Sequence, residues 1–163
     1  ACYVIGKGTK QDERTAAELF RDSAALGFPP AQYELGLCYE HGIGLERNMA
    51  RAVELYALAA EQEDAQAQCA LGNLYFTGNG VEQDRARAAE LYTRAAEQGD
   101  VQALSCLAEC YEAGCGVPCD LDRAIALYDQ AAALGDGYAH EEASRLRLLR
   151  NNRRRKWDFE SLQ

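Results

Sequence analysis

Seven cysteines are the residues of this chain with the clearest potential for chemistry. Cys106 and Cys110 lie one helical turn apart, and Cys115 and Cys119 repeat that spacing. Thiolates placed in this way can bind zinc or form disulfides, but zinc ribbons use a tighter spacing with turn glycines. The odd number of cysteines favours reduced thiols and a reducing compartment. We therefore expect neither a bound metal nor any other cofactor.

Histidine, serine and lysine offer no catalytic pairing. The two histidines, His41 and His140, are far apart in the sequence, which argues against a shared metal or catalytic site. Lysine occurs only at positions 7, 10 and 156, and no serine has a lysine three residues after it. A serine nucleophile needs a neighbouring base of this kind. The sequence therefore predicts a protein that is not an enzyme.

Glycine pairs could be mistaken for the loops that bind phosphate in nucleotide-binding proteins. Such a loop follows a β-strand and precedes a helix, and this sequence shows no strand pattern. The pair Gly42-x-Gly44 recurs as Gly78-x-Gly80 and as Gly114-x-Gly116. We interpret these glycines as turn residues between paired helices, at positions that need a positive φ angle.

A period of 36 residues explains this recurrence and sets the elements that position every other residue. Equivalent places carry the same residue types: Ala31, Leu35, Gly36, Tyr39, Gly42 and Gly44; Ala67, Leu71, Gly72, Tyr75, Gly78 and Gly80; Ala103, Leu107, Ala108, Tyr111, Gly114 and Gly116. Tyr3, Gly6 and Gly8 keep the phase one period earlier. A fixed period of this length is typical of stacked supersecondary units.

Two helices fit within each period. The first covers about residues 30–41 and the second about residues 49–62, because apolar residues recur there at helical spacing. Short acceptor side chains precede the second helices, where they cap free N–H groups: Asp12, Asn48, Asp84 and Asp120. Glycines close the second helices: Gly27, Gly99 and Gly135. Glu63 stands in the equivalent place of one unit and breaks this rule.

This unit resembles the Sel1-like repeat, a relative of the tetratricopeptide repeat. The resemblance rests on the phrase from Ala31 to Gly44, which returns from residue 67 to 81 and from 103 to 117. Each phrase is followed by the cap and by an alanine-rich helix that contains a tyrosine. The resemblance implies an all-α fold, a right-handed superhelix (solenoid) of stacked antiparallel helix pairs. It also implies adaptor or scaffold work in protein assemblies, without identifying a partner.

Repeat phase also assigns three cysteines to helix packing. Cys2, Cys38 and Cys110 share one place, which Leu74 fills in the third unit, so cysteine acts there as a small hydrophobe. Some cysteine-rich members of the family join the two helices of each unit by a disulfide. No such pair recurs across the units of this chain.

The period divides the chain into a repeat domain, residues 1–149, and a basic tail, residues 150–163. The predicted units within the domain are 1–27, 28–63, 64–99 and 100–135, followed by a terminal helix at 136–149. No apolar run approaches the roughly 20 residues that span a bilayer, so we expect no membrane partner. The sequence opens inside a repeat, without methionine or a signal peptide. We expect a cytoplasmic chain that is a fragment of a larger protein or a processed product.

The net charge of −9 is unevenly distributed. Residues 1–144 carry 10 basic and 24 acidic side chains, whereas residues 145–163 carry 7 basic and 2 acidic ones. An acidic body argues against nucleic acid as its partner, since phosphate binding needs a cationic face.

The outward residues of the first helices form the predicted partner-binding site. In stacks of this kind the first helices line the concave face, and these positions vary between units whereas the packing positions do not. The predicted residues are Tyr33, Leu37, Glu40, His41, Asn73, Phe76, Thr77, Ser105, Glu109, Glu112, Glu141 and Arg145. We expect them to bind a basic peptide or helix of a partner protein. A face that is merely solvated is the alternative.

The tail combines basic and aromatic residues: Arg153, Arg154, Arg155, Lys156, Trp157 and Phe159. Such a segment can be a solvated end, a targeting or nucleic-acid patch, or an anchor on the acidic body of this chain or of a second copy. Two functions remain as alternatives to a binding adaptor. One is a structural or regulatory module of a larger multidomain enzyme, and the other is a nucleic-acid or targeting role through this tail.

Overall fold

The computed structural model describes the backbone of residues 10–160 and the side chains of residues 10–152. Within that part of the chain all regular structure is helical and no strand is present, so the predicted all-α fold class is confirmed. The helices are α1 (Lys10–Ala25), α2 (Pro29–His41), α3 (Met49–Glu61), α4 (Ala65–Thr77), α5 (Arg85–Glu97), α6 (Val101–Ala113), α7 (Leu121–Ala133) and α8 (Gly137–Glu160). Four residues used for the earliest repeat lie outside the described residues: Cys2, Tyr3, Gly6 and Gly8.

The helices form two compact units. Unit 1 ends at Asp84 and holds α1 to α4, and unit 2 begins at Arg85 and holds α5 to α8. In each unit every helix packs against the next one along the chain. This is the contact pattern of a repeat protein, in which burial comes from neighbours in sequence.

Short polar side chains set where the helices begin. Asp64 accepts a hydrogen bond from the Ala67 N–H at 2.8 Å, and Asp100 accepts one from the Ala103 N–H at 2.7 Å. The predicted caps Asn48 and Asp120 also accept hydrogen bonds from backbone N–H groups of the first turn. Asp12 was predicted to precede a helix and instead lies within the first turn of α1. First helices end at left-handed glycines, with φ between 68° and 75°.

Glu63 takes the left-handed backbone conformation that glycine takes in the other units, with φ of 63°. Such a conformation is unfavourable for a residue with a Cβ atom. The Glu63 carboxylate accepts a hydrogen bond at 2.9 Å from the side-chain amide of Gln68, which is fully buried. The same amide donates to the Ala60 carbonyl at 3.2 Å. Glu63 is therefore held in place by a buried polar partner on α4.

Buried tyrosines on the second helices α3 and α7 pack against small residues on first helices. In unit 1 the ring of Tyr56 occupies the space beside Gly36, so that a Cβ atom at Gly36 would overlap ring carbons. In unit 2 Tyr128 and Ala108, at the equivalent places, belong to one buried cluster. Neither tyrosine side chain is exposed to solvent. The repeated small residue thus lets the first helix approach the ring closely.

The second glycine of the loop makes an even closer approach. Gly44 lies against the backbone of α1 at Glu13, and Gly116 lies against the backbone of α5 at Arg85. A Cβ atom at either glycine would overlap a carbonyl oxygen, and both residues have positive φ angles, of 68° and 77°. The predicted role of these glycines as turn residues is confirmed. The structure adds that they also fix the loop on the preceding second helix.

Helix α8 extends beyond the terminal helix predicted at 136–149 and continues to Glu160. Two ion pairs hold it to α7. Arg147 donates to both carboxylate oxygens of Asp129, at 2.5 and 2.6 Å, and Arg150 donates to Asp122 at 2.5 Å. The first residues of the predicted tail are therefore helical and anchored to an acidic neighbour.

We expect Gly116→Ala to destabilise the protein more than Gly99→Ala does. The two glycines have similar φ angles, of 77° and 83°, so alanine carries the same left-handed cost of about 1–2 kcal/mol at each. Only at Gly116 would the new methyl group meet the Arg85 backbone, because no described atom lies within 4 Å of a Cβ at Gly99. Urea unfolding followed by circular dichroism measures both losses. An equal loss at the two positions would contradict the close contact at Gly116.

Candidate partner-binding site

On α2 the predicted aromatic and acidic residues meet at one buried tyrosine. The ring of Tyr33 lies 5.8 Å from the ring of Tyr56, centroid to centroid. The Tyr56 hydroxyl donates to Glu40 Oε2 at 2.7 Å. Leu37 is half-buried, and His41 is exposed at the last turn of the helix. Tyr33 and Glu40 therefore both contact Tyr56, one through its ring and the other through its hydroxyl.

The α4 part of the predicted site carries no charge. Asn73 and Phe76 are half-buried and Thr77 is exposed. The Thr77 hydroxyl donates to the Asn73 carbonyl at 2.8 Å, which is a bond within the helix itself. This segment is an uncharged surface that includes one aromatic ring.

Ser105 on α6 is buried, although its phase predicts an outward position. Its hydroxyl donates to Asp136 Oδ2 at 2.8 Å, and this bond is the main cause of the lowered pKa of Asp136. The same carboxylate accepts a hydrogen bond from the Ala139 N–H at 3.2 Å. Ser105 thus ties α6 to the beginning of α8, and its hydroxyl is already occupied.

Three carboxylates converge in unit 2, and we call them the acidic cluster: Glu109 and Glu112 on α6, and Glu142 on α8. Arg145 Nη2 lies 2.6 Å from Glu112 Oε1 and 2.5 Å from Glu142 Oε2, so one guanidinium bridges two helices. Glu109 is exposed and has no cationic partner among the described side chains. The predicted Glu141 is exposed beside Glu142, outside this network.

Burial and like charge both act on Glu109 in the acidic cluster. Partial burial, followed by the charges of Glu112 and Glu142, raises the pKa of the Glu109 carboxyl. Hydrogen bonds to the same two glutamates raise the pKa of Arg145, which therefore stays charged. Three carboxylates face one cation, and the cluster keeps an excess of negative charge at neutral pH.

Tyr128 holds in unit 2 the place that Tyr56 holds in unit 1, but its hydroxyl lacks a partner. The side chain is fully buried, and its Oη makes no hydrogen bond within the described part of the chain. The equivalent of Glu40 is Glu112, which is bound to Arg145 instead. Burial is the largest cause of the raised pKa of Tyr128, so the hydroxyl keeps its proton. A buried hydroxyl without a partner costs about 1–3 kcal/mol.

Glu142, Tyr128 and Tyr138 are absent from the site predicted from the sequence. The spacing of Glu142 and Arg145, three residues apart on one helix, is the signal that could have identified Glu142. Tyr138 lies edge-to-face on Tyr128, with ring centroids 6.4 Å apart and planes at 81°, and 54% of it is exposed. The unpartnered hydroxyl of Tyr128 has no signal in the sequence, because the equivalent Tyr56 is bonded.

The predicted tail residues, Arg153, Arg154, Arg155, Lys156, Trp157 and Phe159, have side chains outside the described set. The backbone of these residues belongs to α8. Self-association through the tail and a nucleic-acid or targeting role for it stay predictions.

Buried cysteines fill the packing places expected for them. Cys38 is 2% exposed and Cys110 is 1% exposed. Burial raises the pKa of Cys38 to about 11 and that of Cys110 to about 12, so both thiols are protonated at neutral pH. No disulfide joins any two of the six described cysteines, and no three metal-binding side chains are grouped to hold an ion within the described residues. A protonated, buried thiol is a poor nucleophile.

A family model for the Sel1 repeat matches residues 1–28, 29–64, 65–100 and 102–136. The chain belongs to the Sel1 repeat family. The resemblance predicted from the residues is thereby confirmed. Sel1 repeat proteins generally serve as scaffolds for protein interactions.

Sel1 repeat proteins of known structure share this fold. The Sel1 repeat protein from Oxalobacter formigenes is 37% identical, with a TM-score of 0.75, over 81% of this chain and 54% of that one. The protective antigen c5321, present in uropathogenic Escherichia coli strains, is 38% identical, with a TM-score of 0.73, over 75% of this chain and 26% of that one. Cysteine rich protein B of Helicobacter pylori is 23% identical, with a TM-score of 0.65, over 83% of this chain and 98% of that one.

This Sel1 repeat chain therefore spans about half of the Oxalobacter protein and about a quarter of the Escherichia antigen. No curated protein matches it. Within the described residues, none of the helices has the length and apolar character to cross a bilayer.

We expect Tyr56→Phe to lower the free energy of unfolding by about 1–2 kcal/mol, because it removes a hydrogen bond to Glu40. Tyr128→Phe should leave that free energy unchanged or raise it, because the hydroxyl has no bond to lose. Urea unfolding of both variants beside the unsubstituted protein provides the comparison. Equal losses in the two variants would mean that the Tyr128 hydroxyl is bonded in solution.

We expect Glu109→Gln to raise the thermal midpoint at pH 7. The pKa of Glu109 is raised in the folded state, so its ionisation lowers stability as the pH rises through that pKa. The gain should disappear below about pH 4, where the carboxyl is protonated in folded and unfolded chains alike. Thermal unfolding across this range gives the measurement, with Glu141→Gln as the matched control on α8. A gain that persists in acid would have another cause.

Proposed function

We propose that this chain is a non-enzymatic interaction module that binds a basic segment of a partner protein. The binding surface is the outward face of its first helices, and the acidic cluster of unit 2 is its main charged feature. The observation that carries the proposal is that Arg145 pairs with Glu112 and Glu142, whereas Glu109 beside them has no cation among the described side chains.

The outward positions vary between repeats while the packing positions stay constant, and this supports the outward face as the binding surface. The packing tyrosines recur unchanged in the second helices. Glu40, Phe76 and Glu112 share one outward place, so this place changes from acidic to aromatic and back to acidic along the chain. Residues that serve only packing have no reason to vary in this way, whereas a surface that recognises one particular partner does.

Charge supports a basic partner. Two of the three carboxylates of the acidic cluster share Arg145, and Glu109 stays without a cation among the described side chains. An acidic patch attracts a cationic segment from solution and suppresses acidic ones. The first helices give such a segment a surface of the kind that binds helices or extended peptides.

The absence of enzymatic activity and a cytoplasmic location are parts of the proposal that rest on the sequence. Support for the first comes from the buried, protonated thiols of Cys38 and Cys110. A compartment is best tested directly, by fractionation of cells that produce the complete protein.

We expect charge reversal in the acidic cluster to weaken binding of a basic peptide. The test compares the unsubstituted protein with Glu109→Lys/Glu112→Lys, using a 15-residue peptide rich in lysine and arginine and an acidic peptide of equal length. The control, Glu90→Lys/Glu97→Lys, makes the same change at exposed places on α5. Fluorescence anisotropy at low and high salt should show binding of the basic peptide that salt weakens and that only the α6 reversal abolishes. Equal affinities of the two reversal variants would contradict the proposed surface.

A further inference from the structure

We infer that unit 2 carries a site for an arginine side chain of the partner, formed by Glu109, Tyr128, Tyr138 and the adjoining carboxylates. We call these residues the arginine site. The inference rests on the proposed function, because it names the group that the acidic cluster recognises. It adds a specific ligand, the planar guanidinium, to a general preference for positive charge.

The hydroxyl of Tyr128 is the first observation. It is buried and unpartnered within the described residues, and the charges that act on it come from Glu109, Glu112 and Glu142. Glu112 of the acidic cluster stands at the place of the glutamate that binds Tyr56 in unit 1, so the repeat puts the Tyr128 hydroxyl beside this cluster. In unit 1 the equivalent hydroxyl is satisfied by a glutamate of the same repeat. A ligand with N–H donors would satisfy the Tyr128 oxygen that the free chain leaves unpaired.

The spare charge of Glu109 is the second observation. Its carboxylate crowds against two others and has no cationic partner among the described side chains. Like charges held together lower stability, and a protein keeps such an arrangement most readily at a functional site. A second cation beside Arg145 would relieve the repulsion.

The exposed ring of Tyr138 is the third observation. It packs edge-to-face on Tyr128 and leaves 54% of the residue exposed. A guanidinium stacks on an aromatic face while its N–H groups point outward in the guanidinium plane, which is parallel to the ring. An arginine lying on Tyr138 would therefore direct donors toward Glu109, and toward Tyr128 once the Tyr138 ring moves aside.

Arg145 shows that carboxylates of the arginine site can bind a guanidinium. Its guanidinium already binds Glu112 and Glu142 at 2.6 and 2.5 Å. A lysine ammonium is a compact point charge and cannot stack and bridge several acceptors in one plane. The arginine site should therefore prefer arginine over lysine at equal charge.

The experiment is isothermal titration calorimetry at low salt with tri-arginine and tri-lysine peptides whose ends are acetylated and amidated. We expect the unsubstituted chain to bind tri-arginine about fivefold more tightly than tri-lysine. Tyr128→Phe should remove most of that preference, and its unfolding curve reports whether the fold is intact. Glu109→Gln should weaken both peptides, and Arg145→Gln should strengthen both because it frees two carboxylates. Glu97→Gln on α5, the matched control at an exposed place outside the proposed surface, should change neither.

Two results separate this inference from the proposed function. The arginine site would be contradicted if Tyr128→Phe bound tri-arginine as tightly as the unsubstituted chain does, or if the two peptides bound equally. Neither result would contradict the proposed acidic binding surface. If neither peptide bound at low salt, the basic partner of the proposed function would fail as well.

Discussion

The repeat depends on a contact that leaves no room for a side chain. The second glycine of the loop lies on the backbone of the preceding second helix, Gly44 on α1 and Gly116 on α5. Because this contact joins main chain to main chain, it fixes these two loops on the helices that precede them, whereas Gly80 lies against the Met49 side chain. The end of the first helix, which carries Glu40 in unit 1 and Glu112 in unit 2, is positioned by the loop that follows it.

A constant frame of this kind lets polar groups differ without a change of fold. Tyr56 and Tyr128 fill the same place, and each is fully buried. One hydroxyl is bonded to a glutamate on its own helix pair, and the other has lost that glutamate to Arg145 on the next helix. The ring accounts for most of the surface that each tyrosine buries, so the fold tolerates a hydroxyl with or without a hydrogen bond. The two places differ in their hydrogen bonds and ion pairs, and this difference distinguishes the surface of one unit from that of the other.

Repetition made the helices predictable, because each packing residue recurs at a fixed spacing. The second helix expected at about 49–62 lies at Met49–Glu61. The same phase placed Glu112 and Arg145 in the site, where they form an ion pair. Phase did not place Ser105 correctly, because its burial depends on a bond to Asp136, 31 residues later.

Contacts between residues far apart in the sequence explain the other differences between the sequence-based predictions and the structure. The spacing of Glu142 and Arg145 indicates their ion pair on α8, but no local pattern indicates that this pair lies beside Glu112 on α6. Glu63 was recognised as an exception to the glycine rule, but its hydrogen bond to the buried Gln68 is visible only in the structure. Two ion pairs join α8 to α7 at Arg147 and Arg150, and a scan for apolar periodicity does not detect them.

Two of the three buried thiols among the described residues give each unit its own chemical reporter. Cys38 lies inside unit 1 and Cys110 inside unit 2, and each is shielded from solvent and protonated. An alkylating reagent can reach either one only when the surrounding helices separate, so its rate of modification reflects local opening. The sequence thus contains, at equivalent places two repeat periods apart, a pair of probes that distinguishes loosening of one unit from loosening of the other.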